Sequence, residues 1–252
     1  MKISIITVCF NSDATIADTL DSVRSQAYPY LEYIIVDGGS SDKTLAVINS
    51  KLMPSHKLIS EQDSGIYDAM NKGIALATGE IIGFINADDF YPSSDVISKV
   101  VKVFENSRVD CCYGDLLYVE QENTSKIVRY WRSCPFVAGL FGKGWCPPHP
   151  TFFVRREVYE RLGAFNLNFK IAADVELMAR FLEVEGISSY YLPEVLVHMR
   201  MGGTTNRSLS NVIKQNLEVR RGLLALGLGF SWMRFLGNKV FSRAWQFVRR
   251  PV

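Results

Sequence analysis

The chain has 252 residues, of which 48% are hydrophobic and 21% charged, enough for one large domain with a substantial core or for one domain and an appendage. That composition excludes disorder, collagen and coiled coil. The formal net charge of +2 conceals an asymmetry, since residues 207–252 carry nine Lys and Arg against one acid while residues 1–206 carry 19 against 25. A mildly acidic body with a strongly basic tail directs the tail to an anionic surface. Five cysteines, odd in number and without a C-x-x-C pair, argue against a disulfide framework or a structural zinc site and make a reducing cytoplasm the expected home.

Taken in chain order, the first half alternates short apolar runs with helical patterns, the signature of an α/β domain on a mostly parallel sheet. Met1–Phe10 has too short an apolar run, and no small-residue cleavage pattern, to be a signal peptide; Ile3–Val8 reads as the first strand. Asn11-Ser12-Asp13 is a cap signal, and Ile16, Leu20 and Val23 then place one apolar helical face on the sheet. Tyr33–Val36 is the second strand, ending at Asp37, and the turn Gly38-Gly39-Ser40-Ser41-Asp42 opens a helix to about Ser50. Asp42 is assigned a capping role there. Lys57–Ser60 is a third strand, Gly65–Ala77 a helix, and Glu80–Ile85 a fourth strand running into Asn86-Ala87-Asp88-Asp89. Val96–Phe104 is helical, and Cys111–Val119 and Ile127–Trp131 are extended. Cys134–Pro150 is a long Gly-, Pro- and aromatic-rich loop of the kind that forms a lid. Thr151–Val154 is a strand, Glu157–Leu162 and Asp174–Glu185 are helices, and Ser188–Val197 is extended. Beyond Gly202-Gly203 the sequence turns helical and basic, so residues 1–206 are read as the main domain and 207–252 as an amphipathic extension. No apolar run reaches the ~18–20 residues that cross a bilayer.

Acids at the carboxyl ends of strands have a specific meaning, because open parallel sheets bind ligands there. Adjacent carboxylates at 88 and 89 repel one another and cost desolvation unless a cation compensates, which suits a hard divalent metal such as Mg²⁺ or Mn²⁺ holding a diphosphate. The plain alternative is a loop-capping pair in solvent.

Four motifs in order then carry a resemblance. They are Thr7-Val8 in the first strand, Val36 through Thr44, Asp63 through Gly73, and Asn86-Ala87-Asp88-Asp89, and together they resemble the family 2 glycosyltransferases over residues 1 to about 206. The resemblance implies the GT-A nucleotide-diphospho-sugar transferase fold, a Rossmann-like α/β architecture, with metal-dependent transfer and inversion at the sugar carbon. It implies that Asp37 accepts hydrogen bonds from the nucleotide base, with Thr7 and the backbone near Phe10 lining the same pocket. Asp88 approaches the ribose or the metal, and Asp89 is the principal metal ligand. Asn86 departs from a strict D-x-D. Asp63 is either an N-cap or a nucleotide contact. Asn71 points at the donor or lies on the helix surface, and Asp68 and Lys72 form an i, i+4 pair.

The resemblance also implies a catalytic base at Asp174, with Glu176 as the competing acid; a well-placed carboxylate suffices because the attacking hydroxyl becomes acidic only in the transition state. Where many relatives carry a metal-binding histidine this chain has Gly202, and His198 is either a substitute ligand or a packed or solvent-facing histidine. His149 and Trp145, in the aromatic loop, suit the mixed faces of an acceptor sugar, and Arg200 either offsets diphosphate charge or is a surface arginine.

In the extension, Met233, Leu236, Val240, Phe241, Ala244, Trp245 and Val248 mark one helical face and Lys239, Arg243, Arg249 and Arg250 the other. A basic amphipathic helix of this kind lies in a lipid interface, or packs on the body or a second subunit as a homodimer. The expected protein is a cytoplasmic enzyme, peripheral at the inner face of the membrane, with a UDP-sugar as favoured donor, a glycan or lipid-linked acceptor in surface-polysaccharide or lipopolysaccharide assembly, and no nucleic-acid partner. Two rivals are a sugar-phosphate nucleotidyltransferase, which needs glycine and basic residues in the loop after the first strand where this chain has Cys9–Asp13, and a non-catalytic nucleotide-sugar-binding or membrane scaffold.

Overall fold

A computed structural model describes residues 1–106, 108–202 and 209–248. The strands are β1 (Ile3–Cys9), β2 (Leu31–Asp37), β3 (Lys57–Ser60), β4 (Ile81–Phe84), β5 (Asp89–Phe90), β6 (Cys111–Val119), β7 (Ile127–Trp131), β8 (Phe153–Arg155) and β9 (Ser189–Arg200). They form a single sheet in the order β3-β2-β1-β4-β8-β6-β9-β5, with β7 added to β6. The first four strands run parallel, as do β6 and β9, whereas β8 is antiparallel to both β4 and β6.

Every residue of β1 is buried, and the period of two divides it between two cores. Ile3 and Ile5 pack with Ile16, Leu20 and Val23 of α1 (Ile16–Arg24) and with Val96, Val100 and Phe104 of α4 (Val96–Asn106). Ile6 and Val8 face the other way, onto Tyr67 and Met70 of α3 (Ile66–Leu76) and onto Leu177 of α6 (Ala173–Ala179). Each of these side chains contributes roughly 1.5–3 kcal/mol by leaving water. Gly73 brings α3 against β1, since a Cβ there would lie 2.5 Å from Ile6 Cγ2.

Two expected elements differ in detail. The residues read as one helix from 174 to 185 divide into α6 and a wider π turn over Arg180–Val184. The cap signal at Asn11-Ser12-Asp13 does not cap α1, which starts at Ile16 without a side-chain cap; Asn11 instead takes the left-handed conformation (φ 48°) and ties two loops together. Its amide nitrogen donates to Ser40 Oγ (2.8 Å) and its Oδ1 accepts from the Ser41 amide (2.9 Å).

The basic extension forms α7 (Leu209–Ala225) and α8 (Trp232–Val248). Val219 and Leu223 of α7 and Phe235 of α8 belong to the same core cluster as α3 and α6, so both helices pack on the body. The expected boundary at 206/207 lies outside the described residues. Among the described residues no helix is long and apolar enough to cross a membrane.

Candidate active site

The tips of β1 and β2 form one rim. Asp37 ends β2 fully buried, and its carboxylate is occupied by its own neighbourhood: Oδ2 accepts from the Gly39 amide (3.2 Å), the Ser40 amide (3.1 Å) and Ser60 Oγ (2.7 Å), and Oδ1 accepts from Ser40 Oγ. Burial pushes this carboxyl up, but the hydrogen bonds from Ser40, Ser60 and Gly39 outweigh it and hold it below its ordinary value. Asp37 therefore shapes the Gly38–Ser41 turn instead of presenting a free carboxylate. Asp42 caps, as read from the sequence, accepting from the Thr44 amide at 2.9 Å. Asp63 is half-buried and lies directly over Gly38, where an added Cβ would stand 2.3 Å from its Oδ2; its Oδ1 accepts from the Gly65 amide (2.8 Å). Thr7 does not line the rim. It is buried within β1, its hydroxyl hydrogen-bonded to that of Tyr33 (2.9 Å). Phe10, named in the sequence only for its backbone, leaves β1 with a ring 61% exposed beside this rim.

The Asn86–Asp89 loop leaves β4 and is pinned by Thr19 Oγ1, which donates to the Asp89 carbonyl (2.7 Å). Of the two acids, Asp89 is fully buried and Asp88 half-buried. Burial, and then the neighbouring Asp88 charge, push the Asp89 carboxyl well above its usual range. Its Oδ2 accepts from Asn86 Nδ2 (3.1 Å), while Asp89 Oδ1 and Asn86 Oδ1 are buried oxygens with no hydrogen-bond partner. Asp89, expected as principal ligand, thus stands behind Asn86, and Asp88 is the acid that reaches solvent. Unpartnered oxygens beside a carboxylate fit a hard divalent cation, although no cluster of three or more His, Cys, Asp or Glu among the described residues is arranged to enclose one. Mg²⁺ and Mn²⁺ need no such cage when phosphate and water complete the shell.

Arg200 is buried beneath this loop. It pairs with Asp18 of α1 and donates to the Asp88 carbonyl (3.0 Å), so its guanidinium braces the loop and is not available to a diphosphate. His198 pairs across the sheet with Phe90, its ring 5.3 Å from that ring, and lies outside the cavity described next. Burial lowers its pKa. Gly202 holds a left-handed turn (φ +117°).

A cavity of about 740 Å³ opens beside Asn86. Asp174, second residue of α6, lines it together with Trp145 and His149, all three named from the sequence, and with Tyr67, which was not. The Tyr67 hydroxyl stands 3.0 Å from Asp174 Oδ1 and 3.0 Å from the Ile171 carbonyl, sharing its one proton between them and orienting the carboxylate. Burial, and then the Asp174 charge, raise the Tyr67 pKa, so the phenol stays protonated. His149 stacks near Phe84 (5.5 Å) and Phe165 (5.6 Å); burial lowers its pKa and the Asp174 charge opposes the shift. The competing acid, Glu176, is buried and ion-paired to Arg180 at 3.1 Å, which removes it as a base. Asn71 is also occupied, its amide bonded both ways to the Phe165 backbone at 2.9 Å, so it fixes the segment preceding α6 instead of facing a donor.

One further contributor escapes sequence reasoning, and two tail residues take an unexpected place. Glu218 of α7 accepts from the amides of Lys170 (3.0 Å), Ile171 (2.8 Å) and Ala172 (3.1 Å), holding the backbone that enters α6. A lone acid in a basic tail was the available signal. Lys239 and Arg243, read as the basic face of the tail helix, line the cavity, while Met233 (87% exposed), Val240 and Phe241 (both 69%) of the apolar face point out. The side chains of Ala244, Trp245 and Val248, and residues 249–250 altogether, lie outside the described residues.

The model of the Glycosyl transferase family 2 matches residues 4–163. A PGL/p-HBAD biosynthesis glycosyltransferase of Mycobacterium bovis is 31% identical over 250 residues, covering 96% of this chain and 93% of the relative. An uncharacterized glycosyltransferase of Mycobacterium tuberculosis is 31% identical over 180 residues, 71% of this chain and 68% of its own. Among solved structures, Staphylococcus aureus TarS 1-349 in complex with UDP-GlcNAc superposes with a TM-score of 0.69 at 18% identity, covering 97% of this chain and 74% of that one. The mannosyltransferase PcManGT from Pyrobaculum calidifontis, in complex with GDP-Man and Mn²⁺, gives 0.67 at 21% identity over 98% and 72%.

Proposed function

This chain belongs to glycosyl transferase family 2 and is a glycosyltransferase of the GT-A fold, and we propose that it transfers a sugar with inversion from a nucleotide-diphosphate sugar to a hydroxyl of a lipid-linked glycan. The observation that carries this reading is Asp174, oriented by Tyr67 at 3.0 Å, in a cavity that also reaches Asn86. The acceptor oxygen bonds to the anomeric carbon from one side. The bond from that carbon to the diphosphate oxygen breaks on the other side, its electron pair going to the phosphate, and the hydroxyl proton passes to Asp174. One base and one displacement give inversion.

On the donor side the nucleotide base lies against the exposed Phe10 ring, with Asp63 Oδ2 as its hydrogen-bond acceptor and Asp37 holding the turn beneath it. Asp88, with the Asn86 and Asp89 oxygens, would hold Mg²⁺ or Mn²⁺, whose chemistry when bound is to neutralise the leaving diphosphate. A UDP-sugar is the favoured donor. TarS was solved with UDP-GlcNAc, and PcManGT with GDP-Man and Mn²⁺.

The tail supports the lipid-linked acceptor. Exposed Ile213, Leu217, Met233, Leu236, Val240 and Phe241 give α7 and α8 an outward apolar surface, with exposed Arg220, Arg221 and Arg234 on the same helices, a combination suited to an anionic leaflet. All five cysteines are free, in keeping with a reducing compartment and the inner membrane face.

The test is calorimetric binding of UDP and of GDP, each with and without Mn²⁺, to wild type, Asp88→Ala and Asp174→Asn. Mn²⁺-dependent binding of UDP, lost in Asp88→Ala and retained in Asp174→Asn, is the expected pattern. Equal binding by Asp88→Ala and wild type would overturn the metal assignment.

A further inference from the structure

The cavity beside Asp174 has a charge opposite to that of the body around it. Arg129, Arg132, Lys143, Lys170, Lys239 and Arg243 line it, and among the described residues Asp174 is the only acid that does. Arg132, Lys143 and Lys170 are exposed, so water screens them. Arg129, Lys239 and Arg243 are half-buried.

Arg129 projects from β7 with its guanidinium carbon 3.8 Å from the Tyr118 ring centroid and 5.8 Å from that of Trp131. Its Nε is buried and makes no hydrogen bond. Lys239 donates to Asn216 Oδ1 at 2.6 Å and lies 5.1 Å from the Phe235 ring centroid. Among the described residues, neither Arg129 nor Arg243 forms an ion pair with an acid.

These charges work against one another. Burial, and then the Arg243 charge, lower the pKa of Lys239 to about 8, and the same two causes act on Arg129, with the Tyr118 phenol opposing them. A set of like charges withdrawn from water is unfavourable unless an anion joins it. Apolar packing alone explains Arg129 on Tyr118, but not why α8 turns Arg243 and Lys239 inward while Val240 and Phe241 stand in solvent.

The cluster lines the same cavity as Asp174. Leu116, Trp131, Phe141 and Trp145 add apolar and aromatic wall to that cavity.

We infer that Arg129 and Arg243, with Lys239 beside them, form a subsite for a phosphate group carried by the acceptor, so that the acceptor is a phosphate-bearing amphiphile whose sugar hydroxyl reaches Asp174. This rests on the glycosyltransferase reading above and adds the chemical class of the acceptor. Guanidinium groups suit the role, because their forked donors match phosphate oxygens.

The test uses the full chain and two probes held below their micelle concentrations: decyl phosphate and decyl glucoside, which share a tail and differ in headgroup charge. Binding is read from the fluorescence of Trp131 and Trp145 in the cavity wall, and UDP affinity is measured in parallel with Mn²⁺. Wild type is expected to bind decyl phosphate about tenfold more tightly than decyl glucoside, the yield of one charge-assisted contact. Arg129→Met and Arg243→Gln should each abolish that preference while leaving UDP affinity within about twofold. Equal affinity of wild type for the two probes would overturn the proposal. So would a loss of UDP affinity in Arg243→Gln that matches its loss of decyl phosphate affinity, because the cluster would then serve the donor diphosphate. Arg243→Gln lies on the peripheral α8, so it remains decisive if Arg129→Met fails to fold. Wild type that binds decyl phosphate selectively but not UDP would instead count against the donor-site reading.

Discussion

At the rim proposed for the nucleotide the acids already accept hydrogen bonds from the turns and strand ends around them, whereas the cavity beside Asp174 gathers like positive charges from β7, the aromatic loop and α8. Asp37 takes its hydrogen bonds from residues two, three and 23 positions on, and Asp42 from Thr44, two positions on, and from the Asp13 amide in the loop after β1. Arg129 and Arg243 are more than a hundred positions apart and meet only in the folded chain. Asp37 and Asp42 are thus bonded into the rim itself. The cavity is left electrostatically incomplete, as befits a wall whose partner supplies the missing charge. A locally satisfied site suits a donor shared by many transferases, and a site assembled by distant segments can be retuned for its own acceptor.

The comparison can be broken most forcibly at the base. Asp174→Asn should lower transfer by roughly 10²–10⁴-fold while leaving UDP binding intact, as measured by turnover and calorimetry on the same preparation. If nucleotide affinity fell in parallel, the two walls would not be separable. Asp88→Ala should weaken Mn²⁺-dependent UDP binding by about tenfold or more, with no change in binding measured without metal.

Glu218→Gln asks whether the tail helps build the wall. It replaces a carboxylate that accepts from three successive backbone amides and should destabilise the fold by about 1–3 kcal/mol in urea, with kcat falling more than the KM for donor changes. Unaltered kcat would reduce α7 to a cover. On the rim, Gly38→Ala sets a methyl 2.3 Å from Asp63 Oδ2, so that carboxylate must swing away. UDP affinity should drop roughly fivefold with little change in unfolding midpoint, because the displaced atom is the tip of a side chain.

The smallest effect concerns pH. Burial depresses the His149 pKa, so the folded state binds fewer protons there than the unfolded chain does. The associated stability is fully present above the unfolded value near 6.5 and is lost as pH falls below it, at no more than about 1.4 kcal/mol per pH unit for one proton. His149→Phe should flatten the acid side of the stability profile between pH 7 and 5. The slope would not vanish, since burial also lowers His56 and His198.

Much of the architecture was legible in the residues. The alternation of β1 and β2, the helical spacing of Ile16, Leu20 and Val23, and the strand-end position of Asp88 all depend on local periodicity. The capping role of Asp42 was legible from its place in the turn, whereas Asp174 was named by the family resemblance, and the fold places it in the cavity wall. Several side chains were not legible. Thr7, Asn71 and Arg200 belong to the expected types at the expected motifs, yet each spends its polar atoms on a neighbour distant in sequence: Tyr33, the Phe165 backbone and Asp18.

By itself, then, the sequence determined the α/β order of elements, the family motifs and the acids at strand ends, because those follow from nearest-neighbour periodicity and short turns. Tertiary structure alone decided which acid of Asp88 and Asp89 meets solvent, which side of α8 faces inward, and that Glu218 secures the entry to α6. The physical reason is that helical periodicity defines two faces without saying which is buried. That choice is made by the volume, hydrogen-bond demand and charge of whatever surface the helix meets.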